Sequence, residues 1–184
     1  MRKIVVSEFL SADGVMEAPE TWQFPFQTEE MGAITERQIH DKDAFLLGRV
    51  TYEVFASYWP TQTHNEFGIA DKLNSAPKYV VSTTLEKADW NNSTQIKSNV
   101  IEEIRKLKQQ PGGTIGMTGS AKLVHTLLDA GLVDEIQMLV HPIVLGQGVR
   151  LFAEGGHRSS LKLTDSQILS NGVVYLAYQI ESQA

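Results

Sequence analysis

The sequence predicts an α/β fold in which a mostly parallel central sheet carries helices on both faces and ends in an antiparallel C-terminal hairpin. Three observations carry this expectation. Short β-branched runs alternate with amphipathic stretches over the first two thirds of the chain, and every crossover between parallel strands must return the chain to the same edge of the sheet. The last third turns to strand-like runs alone, and the final two are joined by Ser170-Asn171-Gly172, whose Asn-Gly is the strongest short hairpin signal. No repeat, low-complexity tract or linker divides the 184 residues, a length that suits one core. Residues 1–184 are therefore read as a single domain.

Ile4 to Phe9 is apolar and β-branched and stops at the turn cluster Ser11-Ala12-Asp13-Gly14, which reads as a buried strand opening onto a loop. Val15 to Gln27 holds Pro19, Trp22, Phe24, Pro25 and Phe26. It is too aromatic for a solvated linker and too rich in proline for a helix, so it reads as a loop folded over something. Thr28 to His40 opens with an N-cap and two acids, Glu29 and Glu30, and places Met31, Ile34 and Ile39 on one helical face. Ala44 to Leu47 is a second strand, ended by Gly48, and Thr51 to Tyr58 has helical spacing. Lys78 to Ser82 and Thr114 to Met117 are further strands. Between them, Asn99 to Gln109 is an amphipathic helix broken by Pro111-Gly112-Gly113. Ser120 to Ala130 is a helix stopped by Gly131, and Glu135 to Val144, Leu161 to Leu169 and Val173 to Ile180 are the closing strands.

Composition narrows the chemistry. The absence of cysteine removes disulfides, thiolate zinc sites, iron–sulfur clusters and thiol nucleophiles together. A net charge of −6 argues against a nucleic-acid backbone binder. No run approaches the length of a membrane span, and the apolar stretch after Met1 is too short for a signal segment, so a cytoplasmic protein is expected. The five histidines form no H-E-x-x-H pattern, and no metal is expected. The dinucleotide G-x-G-x-x-G and the G-x-x-x-x-G-K-[ST] loop are both absent.

In open α/β sheets ligands gather beyond the carboxyl ends of the strands, where helix N-termini offer unpaired N–H groups. Gly48-Arg49-Val50-Thr51 lies at one such junction and puts a guanidinium and a hydroxyl beside a glycine. Gly119-Ser120-Ala121 lies at a second, and Ser82-Thr83-Thr84 supplies hydroxyls at a third. Each is also what an ordinary turn or N-cap looks like, but successive junctions of this kind suit a long phosphorylated ligand.

These residues, in this order, resemble the dihydrofolate reductase superfamily, and in particular bacterial proteins related to the reductase domain of riboflavin biosynthesis. The resemblance is carried by Ser11 to Gly14, Leu47 to Glu53, Lys78 to Leu85, Gly119 to Leu123, Gly131 to Glu135 and Pro142 to Phe152. It implies a dihydrofolate reductase-like fold, a homodimer, and an NADPH-dependent reductase that passes a hydride to a small pterin-, flavin- or pyrimidine-like substrate. By position, Gly48, Arg49 and Thr51 would hold cofactor phosphates, and Ser82 and Thr83 would lie by the 2′-phosphate. Gly119, Ser120 and Ala121 would meet the pyrophosphate, and Ala12, Asp13 and Gly14 would border the nicotinamide. Glu29 or Glu30 would be the general acid, which requires an apolar pocket and a raised pKa. Trp22, Phe24, Phe26 and Trp59 are candidate walls for a planar substrate. Riboflavin-pathway reductases carry a D-D-P-x-L-x-x-R type segment where this sequence has Gly48 to Glu53. The alternative is a nucleotide-binding module or dimeric regulatory protein without turnover.

Overall fold

The computed structural model describes residues 1–65, 68–156 and 158–181. The strands are β1 (Ile4–Ser11), β2 (Lys42–Gly48), β3 (Lys78–Val81), β4 (Ser93–Ile96), β5 (Thr114–Met117), β6 (Glu135–His141), β7 (Ser160–Ile168) and β8 (Val174–Glu181). The helices are α1 (Glu29–His40), α2 (Arg49–Tyr58), α3 (Ile69–Ser75), α4 (Val100–Gln109) and α5 (Ala121–Asp129). All eight strands join one sheet in the order β4-β3-β2-β5-β1-β6-β8-β7. β1 runs parallel to β5 and β6, β2 parallel to β3 and β5, and β3 parallel to β4. β8 lies antiparallel between β6 and β7. No helix among the described residues is long and apolar enough to cross a membrane.

Side chains alternate across the sheet as the strand period requires. Ile4, Val6, Leu46, Ile136 and Met138 pack under α4 and α5 with Ile104, Leu107, Val124 and Leu127. On the other face Leu139, Tyr175 and Ala177 meet Met31 and Ile34 of α1, while Phe45, Leu47 and Val80 meet Tyr52 and Leu73 of α2 and α3.

Two elements escape the sequence reading, and one strand is shorter than expected. β4 reads Ser-Thr-Gln-Ile and is an edge strand with no buried residue, so it lacks the apolar alternation that marks a strand. α3 spans only seven residues after Gly68, too few for a periodic pattern. It is held by the buried Lys78, whose Nζ donates to the carbonyls of Leu73 (2.6 Å) and Ala76 (2.8 Å) and lies 4.3 Å from the Trp90 ring centroid. β6 stops at His141 rather than Val144 because Pro142 has no N–H for the ladder.

A buried clamp ties α4 to the start of β1. Lys108 Nζ donates to Leu132 O (2.8 Å) and to Asp134 Oδ2 (2.5 Å), and that same oxygen accepts the Ile4 N–H (2.7 Å). Asp134 is thus a structural residue. Its replacement by alanine strands a buried ammonium and is expected to cost about 3 kcal/mol, read as a lower urea midpoint with an unchanged denaturant slope.

Candidate active site

The carboxyl ends of β2 and β5 are adjacent, and each feeds directly into a helix. Gly48 is the N-cap of α2 and Ser120 the N-cap of α5, and neither cap is satisfied by a side chain. The first N–H groups of both helices therefore point out of the strand ends as unpaired donors with the positive ends of two dipoles. The two turns touch. A Cβ on Gly48 would lie 2.3 Å from Ser120 Oγ and 2.9 Å from its Cβ, and one on Gly119 would lie 2.7 Å from Thr51 Oγ1. Gly119 has φ +63° and is joined to Ser120 by a cis peptide.

The third junction is contiguous, because Gly48 pairs with Val81, the residue before Ser82. Ser82 Oγ accepts the N–H groups of Thr84 (3.1 Å) and Leu85 (2.9 Å). Its hydroxyl shapes the turn and leaves Thr83 exposed at the tip. Arg49 is exposed, and its Nη1 donates to both carboxylate oxygens of Glu53, at 2.8 Å and 3.1 Å. Such a surface pair contributes under about 1 kcal/mol, so the guanidinium can turn to a stronger anion. The residues present fit a dinucleotide phosphate chain: two helix N-termini in contact, a hydroxyl-lined turn beside them, and one movable cation.

The Ser11-Ala12-Asp13-Gly14 loop is pinned to the segment after β6. Asp13 accepts from Ser11 Oγ (2.7 Å) and from the N–H groups of Leu145 (3.1 Å) and Gly146 (2.9 Å). These donors hold its carboxyl down at about 2. Arg150 Nε donates to Asp13 O (3.0 Å), and Leu151 N–H donates to Gly14 O (3.0 Å). Asp13 is consumed as a loop clamp; Ala12 is exposed beside it and Gly14, with φ +81°, makes the turn.

The structure places both expected acids outside any apolar pocket. Glu29 and Glu30 are both exposed. The Glu30 carboxylate accepts from Ser170 N–H (2.9 Å) and Oγ (2.5 Å), which holds its pKa below the usual range. A surface carboxylate stabilised as an anion is the opposite of a poised general acid. The aromatic candidates also divide. Trp22 and Phe26 gather with Phe9 around His141, at centroid distances of 5.2, 5.5 and 5.7 Å. Phe24 is 64 % exposed, and Trp59 packs elsewhere, against Phe55 and Tyr58.

The family model for the RibD C-terminal domain matches residues 2–175. The chain belongs to the RibD C-terminal domain family. It is 36% identical over 138 residues to the Bacillus subtilis (strain 168) protein YyaP, covering 74% of this chain and 73% of that one. A putative riboflavin biosynthesis protein from Shewanella sp. PV-4 superposes with a TM-score of 0.77 at 18% identity, covering 98% of this chain and 99% of the other. Dihydrofolate reductase from Enterococcus faecalis, solved with NADP(H), gives a TM-score of 0.64 at 15% identity, covering 98% and 97%. The fold is dihydrofolate reductase-like.

In this RibD C-terminal domain the junctions contain a group that sequence reasoning missed. Glu8 lies on β1 in the same inward register as Ile4, Val6 and Leu10, which was the available signal. It is buried, and its Oε1 accepts the Gly119 N–H (2.6 Å). Burial pushes its pKa from an ordinary 4.5 up to about 8, against the lowering effect of that hydrogen bond. Between those values the folded chain keeps a proton that the unfolded chain has lost, so stability falls as pH rises from 4.5 to 8. Glu8→Gln retains the acceptor without the ionisation. The variant is expected to match the wild type near pH 4 and to gain with pH, by roughly 3 kcal/mol at pH 7, as measured by urea titrations across that range.

Proposed function

We propose that this protein is an NADPH-dependent reductase that passes a hydride to a small heterocyclic acceptor of pterin, flavin or pyrimidine type. The observation that carries the reading is the contact between the N-termini of α2 and α5 through Gly48–Ser120 and Gly119–Thr51. This contact makes one continuous row of donors from two helices. The bound nicotinamide would supply the hydride. The protein would orient it. The α5 N-terminus would hold the pyrophosphate, with Ser120 and Ala121 offering N–H groups while Gly119 N–H is already given to Glu8. Arg49 and Thr51 at the head of α2 and the exposed Thr83 would take the remaining phosphate charge. Ala12 and Gly14, on a loop fixed by Asp13, would border the nicotinamide and keep water from it. A nucleotide-binding module without turnover is the second reading, favoured by the surface position of Glu29 and Glu30.

The site residues can be tested by titration with NADPH and NADH, read by tryptophan quenching. Arg49→Ala is expected to weaken NADPH about tenfold and NADH much less, since a guanidinium on phosphate is a charge-assisted bond; equal losses reject the assignment. Consumption of NADPH in the presence of pterins, flavins or pyrimidine precursors separates reductase from binding module. We also propose the homodimer. The edge strand β7 supports it, because it leaves Leu163 50 % and Ile168 81 % exposed and presents unpaired backbone groups. A sedimentation mass of about twice the 20.5 kDa chain is expected, and a monomer at micromolar concentration rejects it.

A further inference from the structure

His141 is the last residue of β6 and pairs with Ser11 at the head of the Asp13 loop. It is fully buried. Its Nδ1 lies 2.8 Å from Leu139 O and 3.1 Å from Leu10 O. Carbonyls only accept, so Nδ1 carries the proton and Nε2 is left as a lone-pair acceptor. Burial lowers the pKa of the ring and keeps it neutral. That Nε2 has no hydrogen-bonding partner among the described residues. Phe9, Trp22 and Phe26 surround the ring, each within 15° of perpendicular to it.

A buried acceptor without a donor costs about 1 to 3 kcal/mol, and a leucine would have filled the same core position without that cost. Two of the three covering rings belong to the chain between β1 and α1. Every hydrogen bond of residues 18–25 stays within residues 17–27 among the described residues. Residues 18–25, with Trp22, can therefore move without breaking a sheet bond, whereas Phe26 is held in place by its carbonyl, which accepts from Asn171 Nδ2. The movable piece carries a second group of the same kind, since Gln23 Oε1 is also buried without a partner.

Resting on the reductase reading above, we propose that His141 Nε2 is the hydrogen-bond acceptor for a ring N–H of the planar heterocyclic substrate, which binds where Trp22 now closes over it, between the fixed rings of Phe9 and Phe26. The three aromatic rings select a flat ligand. The single lone pair selects one with a donor on its edge, because an analogue without it leaves the acceptor orphaned again. His141 is thus a specificity-determining residue.

The full chain labelled with nitrogen-15 histidine, with and without NADPH, is titrated with pterin, with 5,6-diaminouracil, and with quinoxaline, which is flat but has no N–H. Pterin or diaminouracil is expected to shift the unprotonated Nε2 resonance of His141 and to quench tryptophan emission, and quinoxaline to leave the resonance unmoved. His141→Asn keeps a donor for Leu139 O and removes Nε2, its own acceptor Oδ1 lying one bond short of the Nε2 position. It should weaken the responding ligand about tenfold, or 1.4 kcal/mol, without changing NADPH affinity. Equal affinity in wild type and variant, binding that leaves the His141 resonance in place, or failure of both N–H-bearing rings to bind overturns the proposal. If the variant does not fold, the wild-type resonance decides alone. A His141 response in a protein that does not bind NADPH removes the reductase reading and leaves the acceptor assignment standing.

Discussion

The arrangement of the strand ends depends on the missing Cβ atoms at Gly48 and Gly119. β2 and β5 are hydrogen-bonded neighbours, so the helices that follow them start a strand spacing apart. The two N-termini form one surface only if their turns approach to van der Waals contact. At Gly48 even alanine would press against the Cβ and backbone nitrogen of Ser120 at 2.9 and 3.0 Å, atoms that no rotamer change can move. The left-handed φ of Gly119 adds a second reason for glycine there. The same economy of space appears one turn back in β5, where a Cβ on Gly116 would meet Lys42 Cγ at 2.7 Å, so the sheet is already tight where it delivers the chain to the site.

For an acidic chain to bind the proposed polyanion, local charge has to be managed independently of net charge, and two carboxyls near the strand ends illustrate how. Glu8 is kept neutral by burial through the physiological range, so it places no negative charge beneath the α5 N-terminus. Asp13 is ionised, but its charge is spread over three donors, with the Arg150 guanidinium 3.6 Å away. The field that a phosphate would meet is then set by helix dipoles and by Arg49 rather than by the overall −6. Glu8 also fixes the shape of the turn it underlies, because the N–H it takes from Gly119 is withdrawn from any ligand and leaves those of Ser120 and Ala121 as the forward-facing donors.

The fold was legible wherever burial imposed a period. β1, β2, α4, α5 and the C-terminal hairpin carry their apolar residues at strand or helix spacing, and turn residues mark their ends. β4 and α3 were not, since one is a polar edge and the other is shorter than two helical turns. At the site, the glycines and hydroxyls of the junctions could be read because backbone geometry restricts which residues stand there. The aromatic group could be read only in part. Local sequence marks Trp22 and Phe26 as residues needing cover, but their partner His141 lies more than a hundred positions away and joins no motif. Glu29 and Glu30 stand in the first turn of α1, where acids satisfy the helix dipole, and Glu30 is bonded to Ser170. Glu8 could have been found from register alone, as a charged residue on the inward side of a buried strand.

The strand order explains why these separate features meet. The chain leaves β5 through α5 and returns on the far side of β1 as β6, so the strand order changes direction at β1, and it is outside the carboxyl ends at such a point that open α/β sheets hold ligands. On one side of β1 stands the Gly119 turn, bonded to Glu8 of β1 itself; on the other stand His141 and its aromatic cover, joined by Phe9, also of β1. The two sheet faces contribute different things, because Glu8 projects toward α5 while Phe9 projects toward α1. In the proposed reaction a hydride donor and its acceptor would have to come within contact distance while each is held by its own set of residues. A central strand whose successive side chains serve opposite faces, and whose end loop is clamped to the segment after β6, is a structure that can bring the two sets together without merging them.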